Sequence, residues 1–384
     1  MRVGVDATSW DNDRGYGRFA RCAVERLVAL DTETTYVMVA PPHDGHPLPP
    51  GSRVLRVPGR AGAPRPAGAA RPPDELARLG LAAHRAHLDV LLFPSVYTWF
   101  PAPGVPTVVG VHDVIAATLP RLTLPSRRAH VLWTVKETLA VRTATRVFTV
   151  SRAAREVVAR RWRLDPDAIA IVPEAPAEVF WPRGAEAAEP YRRAAGLHPD
   201  EPFLLFAGGI SPHKNLTAVV GALALLRDAG RRAPRLVAVG DLQDTRFLSA
   251  TGDVRKRIQR LSLSDRVLLP GFVSDDALAA LYSTATAVVI PSLAEGFGLP
   301  AVEAAACEAP LIVSDLPAHR ETLDGAALFV PPTDEHRLAD AIERLVGDPD
   351  LRADLGTRAR RTVTPLSWDG AAGALREILI GARR

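Results

Sequence analysis

The chain has 384 residues, 47% of them hydrophobic and 23% charged, which is the composition of an ordinary globular protein with room for two hydrophobic cores. Its two cysteines exclude the disulfide framework of small secreted domains, and no Cys-x-x-Cys pair indicates a zinc site. The formal net charge of +4 is slight, and aromatic residues do not alternate with the basic ones as a stacking platform would require, so we expect no nucleic-acid partner.

Short apolar, β-branched runs alternate with helix-like segments along the whole chain. The first half contains predicted strands at Arg2–Asp6, Tyr36–Ala40, Val90–Phe93, Thr107–Val111 and Arg146–Val150, with a short strand at Arg53–Val57. The second half repeats the pattern at Phe203–Ala207, Arg235–Val239, Val267–Leu269, Ala287–Pro291 and Leu311–Ser314. Such runs are typical of parallel strands buried on both faces. The alternation therefore predicts two doubly wound, Rossmann-like α/β domains.

A proline-rich stretch, residues 174–202, separates the two sets of strands. We place the domain boundary within it, which gives an N-terminal domain of residues 1–183 and a C-terminal domain of residues 184–366. The final segment, 367–384, carries an apolar stripe at helical spacing. We expect this helix to pack back on the N-terminal domain.

The most informative segment is Glu295-Gly296-Phe297-Gly298-Leu299-Pro300-Ala301-Val302-Glu303, directly after the strand Ala287–Pro291. Pro300 suits the first helical position, so a helix is predicted to begin near Leu299 with Glu303 in its first turn. The glycines let backbone N–H groups approach a ligand, and the helix N-terminus favours a phosphate. Carboxylates on both sides recognise hydroxyl groups, so the pattern indicates a nucleotide sugar. The alternative is a turn that Gly and Pro merely shape, with Glu303 capping the helix; it does not need two acids in this register.

Two further segments end predicted strands. Gly208-Gly209-Ile210-Ser211-Pro212-His213-Lys214 is typical of a phosphate cradle, although it lacks the Gly-Lys-Ser/Thr signature of a P-loop. A plain turn with a surface lysine is the alternative. Gly110-Val111-His112-Asp113 lies at the carboxyl end of a first-domain strand, where α/β sites form. The alternative there is a structural histidine whose hydrogen bonds are all made within its own loop.

These motifs resemble glycosyltransferase family 4, a group of retaining enzymes with the two-domain GT-B fold. The resemblance rests on Glu295 and Glu303 around Gly-Phe-Gly-x-Pro and extends from about Phe203 to the C-terminus. It implies that Glu295 contacts hydroxyls of the donor sugar and that Glu303 contacts those of the ribose. It also implies that Lys214 neutralises the diphosphate and that His112 faces the cleft near the transferred sugar. Glu295, Lys214 and His112 are thus the candidate catalytic residues.

The resemblance implies further contacts with the nucleotide sugar, at Gly15, Gly17, Gly209, Phe272, Phe297, Gly298 and Leu299. Gly15 and Gly17 belong to a glycine-rich first loop that begins at Asp11. The Asp11-x-Asp13 pair in that loop is interpreted as polar surface. We therefore expect no metal ion and no cofactor besides the donor substrate.

The chain departs from the family pattern at two positions. Ile210 stands where many members carry an arginine, which leaves Lys214 as the one assured cation, with His213 or Arg246 as candidate compensators. Glu308 stands where the family usually has glycine, at a helix end where glycine eases a left-handed cap. This second departure puts the helix-end geometry in question, together with donor preference.

The sequence thus predicts transfer of a hexosyl group from a UDP- or GDP-sugar to an acceptor hydroxyl, in glycan, polysaccharide or glycolipid assembly. The acceptor is expected to be a saccharide or a lipid-linked saccharide. A sugar-binding protein and a sugar-nucleotide epimerase or phosphorylase on the same fold are the alternatives. An NAD-dependent oxidoreductase is disfavoured because Gly15 lies too far beyond the first strand for the tight dinucleotide-binding turn.

The location of the protein is also predicted. No run of about 18 apolar residues spans a membrane, and Asp6 falls too early for a signal peptide, so we expect a cytoplasmic protein. The arginine-rich segment Arg121–Arg163 offers a basic face for peripheral contact with anionic lipid. A solvated helix surface is the alternative for that segment.

Overall fold

The computed structural model describes residues 1–12, 15–40, 45–57, 72–198, 200–242 and 248–383. The chain divides into two compact units. The first comprises Met1–Thr118, Ser126–Glu174 and Ser367–Arg384, and the second comprises Leu119–Pro125 and Ala175–Leu366.

The first unit is built on a seven-stranded parallel sheet with the order β3-β2-β1-β4-β5-β6-β7. Its strands are β1 (Arg2–Asp6), β2 (Thr35–Ala40), β3 (Arg53–Arg56), β4 (Val90–Phe93), β5 (Thr107–Gly110), β6 (Arg146–Thr149) and β7 (Ile169–Ile171). Every residue of β4 and β5 is buried, as expected for central strands covered on both faces.

The second unit contains a six-stranded parallel sheet with the order β10-β9-β8-β11-β12-β13. Its strands are β8 (Phe203–Ala207), β9 (Arg235–Val239), β10 (Val267–Gly271), β11 (Ala287–Ile290), β12 (Leu311–Ser314) and β13 (Leu328–Val330). The strand order reverses between β8 and β11. In open α/β sheets, ligand crevices form at the carboxyl ends of the strands at such a reversal.

The helices fill the connections between the strands. In chain order they are α1 (Gly15–Leu30), α2 (Pro73–Arg85), α3 (Ile115–Thr118), α4 (Pro120–Thr123), α5 (Arg127–Thr143), α6 (Arg152–Trp162), α7 (Ala185–Ala194), α8 (Leu216–Asp228), α9 (Thr251–Arg260), α10 (Asp275–Thr284), α11 (Leu299–Ala306), α12 (Pro317–Leu323), α13 (Glu335–Gly347), α14 (Pro349–Val363) and α15 (Trp368–Ala382). No helix in the described ranges is long and apolar enough to cross a bilayer.

The final helix, α15, belongs to the first unit and packs on α1. Ser367 caps it by accepting a hydrogen bond from the Gly370 amide, which satisfies a donor at the helix start. The Trp368 ring lies against Phe19 of α1, with the ring centroids 6.0 Å apart. The Arg26 guanidinium forms an ion pair with Asp369, which fixes the same end of α15 to α1.

The main segment of the second unit begins at Ala175, whereas the boundary is predicted at residue 184. The intervening residues join the second unit through side chains that the sequence pattern does not reveal. The Phe180 ring packs at a tilt against Tyr282 of α10, with the ring centroids 6.0 Å apart. The Arg183 amide donates to Ser283 Oγ at 3.0 Å, and its guanidinium pairs with Asp276 at 2.9 Å.

Candidate functional site

Two loops of the second unit meet at the carboxyl edge of its sheet, one after β8 and one after β11. The amide of Leu293 in the second loop donates to the carbonyl oxygen of His213 in the first, at 2.8 Å. The Asn215 side chain, at the end of the first loop, donates to the Pro291 carbonyl oxygen at 3.1 Å. These bonds hold the two loops together at the point where the strand order reverses.

An ion pair between Lys214 and Glu295 links the loops through their side chains. Lys214 Nζ donates to Glu295 Oε1 at 2.7 Å, and Ser292 Oγ donates to the same oxygen at 2.6 Å. The side chain of Glu295 is 8% exposed and that of Lys214 is 21% exposed. Burial raises the pKa of Glu295, but the charges of Lys214 and His319 and the two hydrogen bonds outweigh it and lower the pKa to about 2. Glu295 is therefore a firmly ionised carboxylate.

Helix α11 begins directly after this loop, at Leu299 as predicted. Gly298 precedes it with φ +92°, a conformation that side chains rarely permit. The placement of Glu303 in the first turn is wrong, because Glu303 is the fifth residue of α11 and begins its second turn. Pro300 is the second helical residue. It has no N–H, so it leaves no unsatisfied donor there.

The predicted nucleotide-sugar contacts of the second unit differ in exposure. Phe297 and Leu299 are buried, so their side chains are not available to a ligand, and the predicted contacts at these positions would have to come from backbone groups. A Cβ on Gly209 would have nothing within 4 Å, so packing does not require glycine there and the space beside its α-carbon is open. Phe272 follows β10 at the same edge of the sheet and is 69% exposed. Glu303 is buried.

A residue that the sequence analysis missed, His319, lies beneath this loop. It is fully buried on α12, which follows β12, the strand next to β11. Its ring approaches Gly298 so closely that a Cβ there would lie 2.9 Å from Cδ2 and 3.1 Å from Nε2. The one signal in the sequence is its place in the part of the chain, from about Phe203 to the C-terminus, that resembles the family.

The two departures from the family pattern are explained by local packing. Ile210 is 3% exposed and belongs to the hydrophobic core of the second unit, so no cation occupies that position. Of the candidate compensators, His213 has Nδ1 3.2 Å from Ser211 Oγ, and Arg246 lies outside the described residues. Glu308 takes φ +59°, the left-handed conformation that glycine would supply, and pairs with Arg360 at 2.8 Å.

In the first unit, His112 is buried at the carboxyl end of β5. Its Nε2 lies 2.8 Å from the Pro94 carbonyl oxygen, and its Nδ1 lies 3.3 Å from Glu174 Oε1. The ring of Phe19 packs edge-on against it at 4.5 Å. Both ring nitrogens therefore face acceptor oxygens within the unit, and the catalytic role of His112 stays a prediction.

The glycine-rich first loop has a packing role at one of its two candidate glycines. A Cβ on Gly17 would lie 2.0 Å from the Asn12 carbonyl oxygen, so the approach of α1 to this loop requires glycine. A Cβ on Gly15 would meet nothing within 4 Å. Asp11 Oδ1 accepts a hydrogen bond from the His46 amide at 2.9 Å, and Asp13 lies outside the described residues. Among the residues described, no cluster of His, Cys, Asp and Glu is arranged to hold a metal ion.

Both halves of the chain resemble known glycosyltransferases. Residues 14–175 match the family model "Glycosyltransferase Family 4", and residues 188–362 match "Glycosyl transferases group 1". The two matches lie in different halves and leave few residues uncovered. The chain belongs to the family 4, group 1 glycosyltransferases. Its two parallel-sheet α/β units are those of the GT-B fold, as predicted.

Similar proteins include two from Streptomyces. A D-inositol 3-phosphate glycosyltransferase of Streptomyces bingchenggensis is 31% identical over 65% of this chain and 56% of its own length. The chain thus spans just over half of that relative. An alpha-D-kanosaminyltransferase of Streptomyces kanamyceticus is 29% identical over 78% of both chains. Among solved structures, Anabaena HepE in complex with UDP-glucose is 17% identical, with a TM-score of 0.75 over 99% of both chains. This last similarity concerns the fold.

A buried carboxyl group in the first unit has a shifted pKa. Glu137 on α5 is 1% exposed, and its Oε2 has no hydrogen-bond partner in the part of the chain that the structure describes. Burial, and then the charge of Asp113 in the predicted His-Asp motif, raise the pKa of Glu137 from 4.5 to about 7. The folded protein therefore binds a proton here at pH values where the unfolded chain has lost it.

We expect the free energy of unfolding to fall as pH rises from 4.5 to about 7, because the buried carboxyl must then ionise. One pKa unit corresponds to about 1.4 kcal/mol, so replacing Glu137 with Gln should remove a pH-dependent loss of about 3 kcal/mol. Urea unfolding of both proteins at about pH 5 and about pH 8 measures it. Glu156→Gln, at an exposed position on α6, is the control. Equal pH dependence in wild type and Glu137→Gln would contradict the prediction.

Proposed function

We propose that the chain transfers a hexosyl group from a nucleoside-diphosphate sugar to an acceptor hydroxyl, with retention of configuration at the anomeric carbon. The observation that carries this proposal is the Lys214–Glu295 pair in front of α11, beside the open space at Gly209. A cation, a helix N-terminus and a firmly ionised carboxylate lie together at the sheet edge where α/β ligands bind. A diphosphate joined to a hydroxyl-rich sugar matches all three.

Different residues stabilise the leaving diphosphate and orient the transferred sugar during donor cleavage. As the bond between the sugar and the diphosphate breaks, negative charge grows on the leaving oxygen. Lys214 and the amides at the start of α11 stabilise that charge. Glu295 accepts hydrogen bonds from hydroxyls of the transferred sugar and orients it. The acceptor oxygen then attacks the anomeric carbon from the face that the diphosphate leaves, and the acceptor's proton passes to the leaving phosphate oxygen.

The ends of the donor have separate partners in this proposal. Glu303, one turn inside α11, binds the ribose hydroxyls, and the exposed ring of Phe272 stacks on the base. UDP-glucose is the first donor to test, because HepE, which shares the fold, was solved with it. No step calls for a metal ion, so we propose that transfer continues in EDTA. The acceptor is a saccharide or a lipid-linked saccharide.

The separate partners of the two glutamates can be tested with the free nucleoside diphosphate, which has a ribose but no sugar to transfer. Glu303→Ala should weaken UDP or GDP binding roughly ten- to hundredfold, because a hydrogen bond to a charged acceptor contributes about 1.5–3 kcal/mol. Glu295→Ala should not weaken that binding, because it removes the carboxylate that competes with the diphosphate for Lys214, and it should lower turnover instead. Calorimetry and a transfer assay in EDTA measure both effects.

The control for this pair is Glu343→Ala, a glutamate on α13 that should change neither quantity. Equal loss of diphosphate affinity in Glu295→Ala and Glu303→Ala would contradict the assignment of separate partners. Unchanged affinity and turnover in both variants would place the donor site elsewhere.

We also propose that α5 brings the enzyme to an anionic bilayer, where a lipid-linked acceptor would be found. Four apolar side chains on one face of α5 are about half exposed or more: Val131, Leu132, Val135 and Leu139. Arg128 and Arg142 are exposed at the two ends of this stripe, whereas the acid of α5, Glu137, is buried. An apolar stripe flanked by arginines is typical of helices that lie in the membrane interface.

Replacing Leu132 and Val135 together with Glu should reduce binding to vesicles containing phosphatidylserine roughly tenfold or more. Burying a Val or Leu side chain contributes about 1.5–3 kcal/mol, and the new charges repel anionic lipid. Co-sedimentation with such vesicles measures the change, with Leu81→Glu, an exposed apolar position on α2, as the control. Equal sedimentation of wild type and the double variant would contradict this role of α5.

A further inference from the structure

His319 has one ring nitrogen in use and one without a partner. Its Nδ1 lies 2.8 Å from the Ser314 carbonyl oxygen. A carbonyl oxygen only accepts hydrogen bonds, so Nδ1 carries the hydrogen. The buried Nε2 has no hydrogen-bond partner in the described ranges. An unpartnered buried polar atom is costly, and in a native protein it often marks a functional group.

The position of the ring ties His319 to the candidate donor site. Gly298 lies over it, and only a residue without a Cβ fits there, since a Cβ would be 2.9 Å from the ring. Gly298, at the end of the loop that carries Glu295, therefore packs directly on the His319 ring. Because His319 itself is fully buried, it has no surface with which to contact a donor. Any effect on the reaction must pass through this loop.

The charges around the ring set its protonation. Burial is the largest influence and lowers the pKa of His319; the Glu295 carboxylate and the Ser314 carbonyl raise it, and the Lys214 ammonium lowers it. The charged neighbours are thus Glu295 from the loop after β11 and Lys214 from the loop after β8. While Lys214 pairs with Glu295, it neutralises the carboxylate charge. Its own positive charge also disfavours protonation of His319.

A bound diphosphate would change this balance. Lys214 now pairs with Glu295 at 2.7 Å, and a diphosphate with two negative charges would compete with that carboxylate for its single positive charge. If Lys214 moves, a buried carboxylate loses its cation, which is strongly unfavourable unless another cation replaces it. His319 is the titratable neighbour of Glu295 and Lys214, and its Nε2, which has no hydrogen-bond partner in the described ranges, is the atom that would take up a proton.

We propose that His319 is a positioning residue that takes up a proton when Lys214 turns to the donor diphosphate, and so holds Glu295 and its loop in place for the transferred sugar. The exchange, in which Lys214 turns to the diphosphate and His319 takes up a proton, rests on the proposed function. The electrostatic coupling of His319 to Lys214 and Glu295 does not. Donor binding and proton uptake are then linked, so donor affinity increases as pH falls. For one proton, the change is at most about tenfold per pH unit.

The coupling is tested first without any ligand. NMR titration of the histidine ring signals, with His319 assigned from His319→Asn, should give a higher pKa for His319 in Lys214→Met than in wild type. In Glu295→Gln the pKa should be lower than in wild type, because the attracting carboxylate is gone. An unchanged titration in Lys214→Met would overturn the proposal. Wild type and Lys214→Met can still be compared if His319→Asn fails to fold.

The exchange is then tested with UDP-glucose, whose diphosphate has no proton that titrates near neutral pH. Calorimetry in two buffers of different ionisation enthalpy should show proton uptake by wild type and by the control His336→Asn, at an exposed histidine on α13. His319→Asn should bind UDP-glucose without proton uptake and with a flat pH profile. Equal proton uptake in His319→Asn would overturn the proposal. Failure of wild type to bind UDP-, GDP- or ADP-glucose would instead count against the proposed function, and the titration would still decide the coupling.

Discussion

The ion pair between Lys214 and Glu295 is the interaction on which the second unit's site depends. It joins the loops after β8 and β11, neighbouring strands whose carboxyl ends lie where the sheet order reverses. Both side chains are largely withdrawn from water, so removing either one leaves a poorly solvated charge. The pair thus keeps the two candidate ligand-binding groups in place; in the proposed function, a nucleotide sugar would supply a new partner for each.

The remaining contacts of the site hold the Lys214–Glu295 pair and its two loops in position. Ser292 donates to the same carboxylate oxygen, and the bond from Leu293 to His213 fixes the backbone of one loop to the other. Gly298 lets α11 start immediately beyond Glu295 and leaves room for the His319 ring below. The site is therefore preorganised by contacts between residues far apart in the chain. Such preorganisation lets charge stabilisation act without rearrangement during the reaction.

The sequence predicts the features that depend on local patterns. Buried strands and the start of α11 at Leu299 follow from apolar runs and from Gly and Pro at a helix start. The three-residue strands β7 and β13 were missed, because so short a run has no periodicity to detect. Contacts between residues far apart in the sequence are also not predictable from local patterns. Neither the meeting of His112 with Glu174 nor the fit of His319 under Gly298 is encoded by spacing, since each depends on strand order and register.

The most direct test of this account is a crystal structure of the protein with an intact nucleoside-diphosphate sugar bound, compared with the free protein in the same crystal form. The distance from Lys214 Nζ to the Glu295 carboxylate is the decisive quantity. It is 2.7 Å in the free protein. The account predicts that it lengthens beyond contact, with Nζ against a diphosphate oxygen and the carboxylate against sugar hydroxyls. An unbroken ion pair with the diphosphate bound elsewhere would contradict it.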